Sequence, residues 1–243
     1  MIKLKIISNR SLCQTSLDIT VEKIFYNYLL SRKNSKKDDQ VNFNKKIVLK
    51  NDDFSSKNIL KDSKMIDFLK DFEIDSIVLR EKDLSESSYK SLYKNILKIS
   101  SKYNIDLFAH SYYKDALYME GGKIHLPLYI FEEICEKINS EEKDNKSLDK
   151  FFKCYKEIGV SVHSIDEAKR AESLGASYLT FGHIFETDCK KGLEPRGLKL
   201  LRELCSSVEI PIYAIGGITP QNAYLAVENG AKGVCIMSGI MKL

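Results

Sequence analysis

Eight short apolar runs recur along the chain, each followed by a stretch of a different period. They are KLKIIS (3–8), SIVLR (76–80), DLFAH (106–110), KIHLPL (123–128), VSVHS (160–164), YLTFGHIF (178–185), IPIYAIGGI (210–218) and GVCIMSGIM (233–241). The runs are nearly continuous rather than alternating, as strands covered on both faces of a parallel sheet read. Helical spacing fills the gaps. SESSYKSLYKNILKISSKY (85–103) places apolar residues three and four apart, and Ser164 with Glu167 forms a capping box before a helix that stops at Gly175. Thr219-Pro220 predicts a cap and a first-turn proline before AYLAVENG. Eight strands with intervening helices imply an α/β chain folded as a (β/α)8 TIM barrel, one domain over residues 1–243. An open doubly wound sheet is the second fold compatible with the pattern.

Two stretches depart from regular alternation. Residues 9–75 are about twice what one strand-to-strand crossover takes, so about 16–62 are expected to hold an insertion and an extra helix. Within it, SRKNSKKDDQVNFNKK (31–46) is polar enough to be a surface segment. The chain also stops at Leu243, just past the eighth strand, which leaves no eighth outer helix. Residues 18–31 or a second subunit of a homodimer would have to cover that flank.

Composition narrows the function classes. Thirty percent of residues are charged, but the signs are interspersed and the net charge is only +4, which gives no electrostatic case for nucleic acid. No apolar stretch is long enough to span a bilayer, and the N-terminus carries no cleavage-site pattern. The six cysteines form no CxxC pair, so a reduced cytoplasmic setting is the simplest expectation. No carboxylate or histidine cluster has metal-ligand spacing.

In such a barrel the chemistry sits at the C-terminal ends of the strands, with phosphate after strands seven and eight. Gly216 and Gly217 end strand seven; Met237, Ser238 and Gly239 end strand eight. These small turns allow backbone amides to approach a phosphate, or simply allow tight turns. His183 follows Gly182 at the end of strand six, with Thr187, Lys190 and Lys191 in the next loop as anion contacts. An imidazole there could move a proton. Arg80 and Lys82 close strand two; Arg80 could hold a carboxylate or phosphate, or pair with Glu81 or Glu186. His110 lies at the end of strand three. His125 and His163 are expected to be structural, and Cys189 incidental.

LREKDLSE, GVSVHSIDEA, LGASYLTFGHIFETDCKKG, IPIYAIGGITPQNA and GVCIMSGI together resemble the thiamine phosphate synthase and thiazole tautomerase superfamily, from about Ser76 to Met241. Synthases join hydroxymethylpyrimidine diphosphate to a thiazole phosphate, using magnesium held by two aspartates. Here the corresponding places read His110-Ser111 and Pro127-Leu128-Tyr129-Ile130, and Val78 stands for a usual glutamine. The Gly182-His183-Ile184-Phe185 sequence replaces the synthases' Gly-Pro-Ile-Phe and is similar to the tautomerase branch. That resemblance implies an isomerase that converts a carboxythiazole phosphate to its aromatic tautomer. His183 would be the acid/base, Arg80, Lys82, His110, Thr187 and Lys190 substrate contacts, and no cofactor would be needed. A magnesium-dependent synthase is the alternative, and a non-catalytic thiazole or thiamine phosphate binder a third.

Overall fold

The computed structural model describes residues 1–35, 61–112, 122–140 and 154–243. Eight parallel strands close into a barrel in chain order. They are β1 (Ile2–Ile7), β2 (Phe72–Leu79), β3 (Asp106–His110), β4 (Lys123–Pro127), β5 (Glu157–Val162), β6 (Tyr178–Gly182), β7 (Ile212–Ile215) and β8 (Gly233–Ile236). The β1–β8 pairing, with Lys5 opposite Cys235, closes the cylinder. The described helices are α1 (Leu17–Ser35), α2 (Ser63–Leu69), α3 (Glu86–Tyr103), α4 (Leu128–Ser140), α5 (Ile165–Ser173), α6 (Gly197–Cys205), α7 (Ala223–Glu228) and α8 (Ser238–Met241).

Successive strand residues point to opposite faces, and the two faces carry different chemistry. Leu4, Ile6, Ile77, Leu79, Val160, Val162, Leu179 and Phe181 pack with helix residues such as Phe25, Tyr89 and Leu201 in the main core. The alternate positions form a separate interior cluster of Ile7, Val78, Phe108, Tyr178, Tyr213 and Cys235. Polar residues share that inward parity: Lys5, Ser76, His110, His125 and Thr180 are all buried. A Cβ on Gly159 would collide with the Tyr178 ring, so glycine makes room there for the largest interior side chain.

Local signals account for several element ends. Ser85 Oγ accepts from Ser88 N and starts α3, which ends on Asn104 in the left-handed region at φ 56°. Half of the Ser164 capping box forms: its Oγ accepts from Glu167 N at 3.1 Å, while Glu167 accepts from His163 N, one residue before the cap, at 2.6 Å. The cap expected at Thr219 does not form. Asn222 Oδ1 accepts from Thr219 N at 2.8 Å, so residues 219–222 make a turn and α7 begins at Ala223.

The 16–62 stretch does hold an extra helix, α1, whose Leu17, Val21, Ile24 and Phe25 enter the core. Most of the polar run, and all of 36–60, lies outside the described residues. After β8 only the single turn α8 follows. Its end is tied down by Gln14 Nε2 donating to Lys242 O at 3.3 Å and Lys23 Nζ donating to Leu243 O at 3.3 Å. The segment entering α1 thus covers the flank beside the chain end.

Candidate active site

The barrel interior carries polar groups among its apolar residues, from Lys5 up to His110. Near the floor, Lys5 is 1% exposed. Its ammonium donates to Asp75 Oδ2 at 2.7 Å and Ser76 Oγ at 3.0 Å. The rings of Phe108, Tyr178 and Tyr213 surround it with centroids at 4.5, 4.3 and 4.7 Å. One carboxylate, one hydroxyl and three ring faces replace the water this cation loses.

Above it, His125 bridges β4, β5 and β6. Nδ1 lies 3.0 Å from the Tyr178 hydroxyl and Nε2 2.8 Å from Ser161 Oγ, while Thr180 Oγ1 donates to Ser161 Oγ at 3.1 Å. Burial, reinforced by Lys5 and Arg80, pushes the His125 imidazole down to about 3, so it is neutral near pH 7. His110 stacks on it with ring centroids 5.8 Å apart. Burial first, then the charges of His125, Lys82 and Arg80, hold His110 well below the ordinary histidine range as well. Its Nδ1 is 2.7 Å from Ser111 Oγ.

A clamp between β1 and β2 sets the two cations at the rim. Glu81 accepts from Ser8 Oγ at 2.6 Å and from the Arg10 backbone N–H with both oxygens at 3.1 Å. It also accepts from Arg10 Nη1 at 3.3 Å, and the same guanidinium grips Asp83 through two 2.6 Å bonds. Arg80 N donates to Ser8 Oγ at 2.8 Å. The Glu81 carboxylate is therefore consumed by Ser8 and Arg10, and the expected alternative of an Arg80–Glu81 or Arg80–Glu186 pair does not form. Among the described residues, neither the Arg80 guanidinium nor the Lys82 ammonium has an ion pair. Burial, then Arg80, lowers the Lys82 pKa.

The other histidines gather at the β5–β6 corner. A groove of about 520 Å³ runs there between His163, Gly182, His183, Lys190, Pro195 and Arg196. His183 Nε2 sits 3.2 Å from the Leu193 carbonyl, and His163 Nδ1 3.4 Å from the Gly182 carbonyl. No hydrogen bond, ion pair or ring contact joins His183 to Arg80, His110 or His125. Thr187 caps the short turn Asp188–Lys190, accepting from Cys189 N at 3.4 Å, which leaves Lys190 exposed at the groove. Lys191 is exposed beside it.

After β7, Gly216 and Gly217 have φ of 95° and 68°, and a Cβ on either would strike the His183 or Phe185–Glu186 segment. Glycine is required here by both backbone sign and close approach. Among the described residues the amides of Gly217, Ile218, Ser238 and Gly239 have no backbone or side-chain acceptor. Met237 packs onto the interior cluster below them.

The described mouth does not suit a magnesium ion. Magnesium at a diphosphate takes one or two protein carboxylates beside phosphate oxygens and waters. His110, Ser111 and Pro127 occupy the strand ends, Glu81 is saturated, and no group of three described His, Cys, Asp or Glu residues could hold a metal. No described helix is long and apolar enough to cross a membrane.

A family model described as thiamine monophosphate synthase matches residues 61–240. The chain belongs to this family. A putative thiamine-phosphate synthase 2 from Aquifex aeolicus is 33% identical over 163 residues, covering 67% of this chain and 80% of that protein. The thiamine-phosphate synthase of Clostridium acetobutylicum is 33% identical over 165 residues, covering 68% and 72%. The structure of a Pyrococcus furiosus thiamine phosphate pyrophosphorylase aligns over 100% of this chain and 88% of its own, with TM-score 0.65 at 21% identity, and shares the barrel.

These relatives overturn the tautomerase expectation. It rested on His183 in place of proline, Val78 in place of glutamine and the two missing aspartates, whereas the relatives match two thirds of the chain and carry the synthase name. The isomerase assignment is corrected with it. Residue reasoning also missed the interior network of Lys5, Tyr178, Ser161 and Thr180, and the Ser8–Glu81–Arg10 clamp. The signal was available: Lys123 and His125 of β4, Glu157 and Ser161 of β5, and Tyr178 and Thr180 of β6 share one parity. It becomes legible only when the strand register is known.

Proposed function

We propose that the protein is a transferase of thiamine biosynthesis, joining hydroxymethylpyrimidine diphosphate to thiazole phosphate with release of pyrophosphate. The observation that carries this is the 33% identity to thiamine-phosphate synthases over two thirds of the chain. In this reaction the carbon–oxygen bond to the diphosphate breaks, pyrophosphate leaves with the electron pair, and the pyrimidine methylene bonds to the thiazole nitrogen. The protein's tasks are to align the two substrates and to stabilise charge on the leaving group.

The unpaired Arg80 and Lys82 suit the diphosphate. The neutral pair His110 and His125, with Ser161 and Thr180, forms a polar wall for a heteroaromatic ring below them. The unpartnered amides at 217–218 and 238–239, flanked by Gly216 and Met237, suit the thiazole phosphate. Thr187 shapes the loop that carries Lys190 to the groove. His183 acts as a wall residue, its ring on the Leu193 carbonyl fixing that same loop. A magnesium ion has no described ligand set here, and no step is routed through one. Incubating purified protein with both precursors and resolving products by chromatography tests the assignment. Thiamine phosphate is expected from the wild type; its absence from folded protein would contradict the proposal.

A further inference from the structure

A diphosphate leaving group must have its charge met by the site. At this mouth the charge available is cationic side chain rather than carboxylate. Arg80 and Lys82 are both unpaired among the described residues, and both are close enough to His110 to act on its ring electrostatically. Their neighbouring carboxylate, Glu81, is closed off by Ser8 and Arg10. A divalent cation at that rim would face two positive groups and no free described anion; a diphosphate would face the reverse. His110 adds a donor. In the tautomer that has the Ser111 hydroxyl donating to Nδ1, Nε2 carries the proton, and Nε2 has no described partner.

From this we infer that the protein binds the diphosphate of its substrate directly through Arg80 and Lys82, with His110 as a neutral donor, and without a bridging divalent metal. The inference rests on the transferase reading for the identity of the substrate, but the binding mode can be tested apart from turnover. Arg80 would make a bidentate contact, Lys82 a point-charge contact. Ser111 provides a probe of the arrangement. It sits at φ 64°, a left-handed position that aspartate tolerates, so Ser111→Asp returns a carboxylate to the rim without demanding a new backbone.

Isothermal titration of the full chain with inorganic pyrophosphate, in chelator and in excess magnesium, decides the matter. Affinity no tighter in magnesium than in chelator is expected. Arg80→Gln and Lys82→Gln should each weaken both titrations by about tenfold or more, with melting curves establishing that the variants are folded. Ser111→Asp should weaken binding in chelator and regain it with magnesium. Tightening of the wild type by magnesium of about tenfold, or no binding in chelator, would overturn the inference while leaving the transferase assignment standing. Metal-independent pyrophosphate binding in a chain that forms no thiamine phosphate would uphold the binding mode and overturn the transferase assignment alone.

Discussion

Lys5 at the barrel floor and Arg80 at its mouth are both cations inside the same eight-stranded ring, yet their surroundings are opposite. Lys5 has a carboxylate, a hydroxyl and three aromatic faces within reach. Arg80 has its backbone fixed by Ser8 and its guanidinium left without a described partner. A buried charge that is fully satisfied contributes to the fold; one held in place but unsatisfied is available to a ligand. On the proposed function, the contrast assigns ligand binding to the rim and structure to the floor, with the His125 network between them.

Substitutions can break that contrast directly. Arg80→Gln should lower kcat/KM for thiamine phosphate formation about 10²- to 10³-fold, the scale of losing one preorganised electrostatic contact, with no change in the urea midpoint. If it destabilised the protein as much as is expected for a Lys5 substitution, floor and mouth would not differ in role. Lys5→Met keeps the side-chain length but strands Asp75, and should cost about 3 kcal/mol in urea denaturation. Asp75 is partly exposed and also lies 3.8 Å from Lys3, which limits the loss. A neutral result would mean that the cage holds a dispensable cation.

The middle layer predicts a pH effect of stated sign. His125 is held down to about 3 in the folded state, against about 6.5 for an unfolded histidine. Between these values the unfolded chain binds the proton first. Stability from this group is thus present above about pH 6.5 and falls as pH drops toward 3, by at most about 1.4 kcal/mol per pH unit. His110 shifts in the same direction. Denaturation series at neutral and mildly acidic pH should show this slope, and His125→Asn should flatten it. An unchanged slope in the variant would remove His125 from the account. The smallest effect belongs to the outer ring: Ser164→Ala, losing the Oγ cap of α5, should cost about 1 kcal/mol in thermal or urea unfolding and leave turnover intact.

The barrel was legible in the sequence because its strands are apolar on the outward face and its helices carry end signals, as at Ser164 and Gly175. Strand ends were less so: the run at 233–241 reads as one segment but divides into β8 and the turn α8. Arg80 and Lys82 could be marked as rim residues from strand position alone. What freed them could not, since Ser8 and Arg10 are about 70 positions from Glu81 and meet it only through β1–β2 pairing. His183 shows the converse. Its position after β6 suggested an acid/base at the mouth; the local chain path sets its ring on the Leu193 carbonyl, and similarity over two thirds of the chain favours the synthase reading over the tautomerase one.

The most direct test measures thiamine phosphate and pyrophosphate together in one reaction of the purified chain with both precursors. The account predicts that they appear one for one, and that both fall together in Arg80→Gln at unchanged melting temperature. Full turnover by that variant, or no thiamine phosphate from the folded wild type, would contradict it.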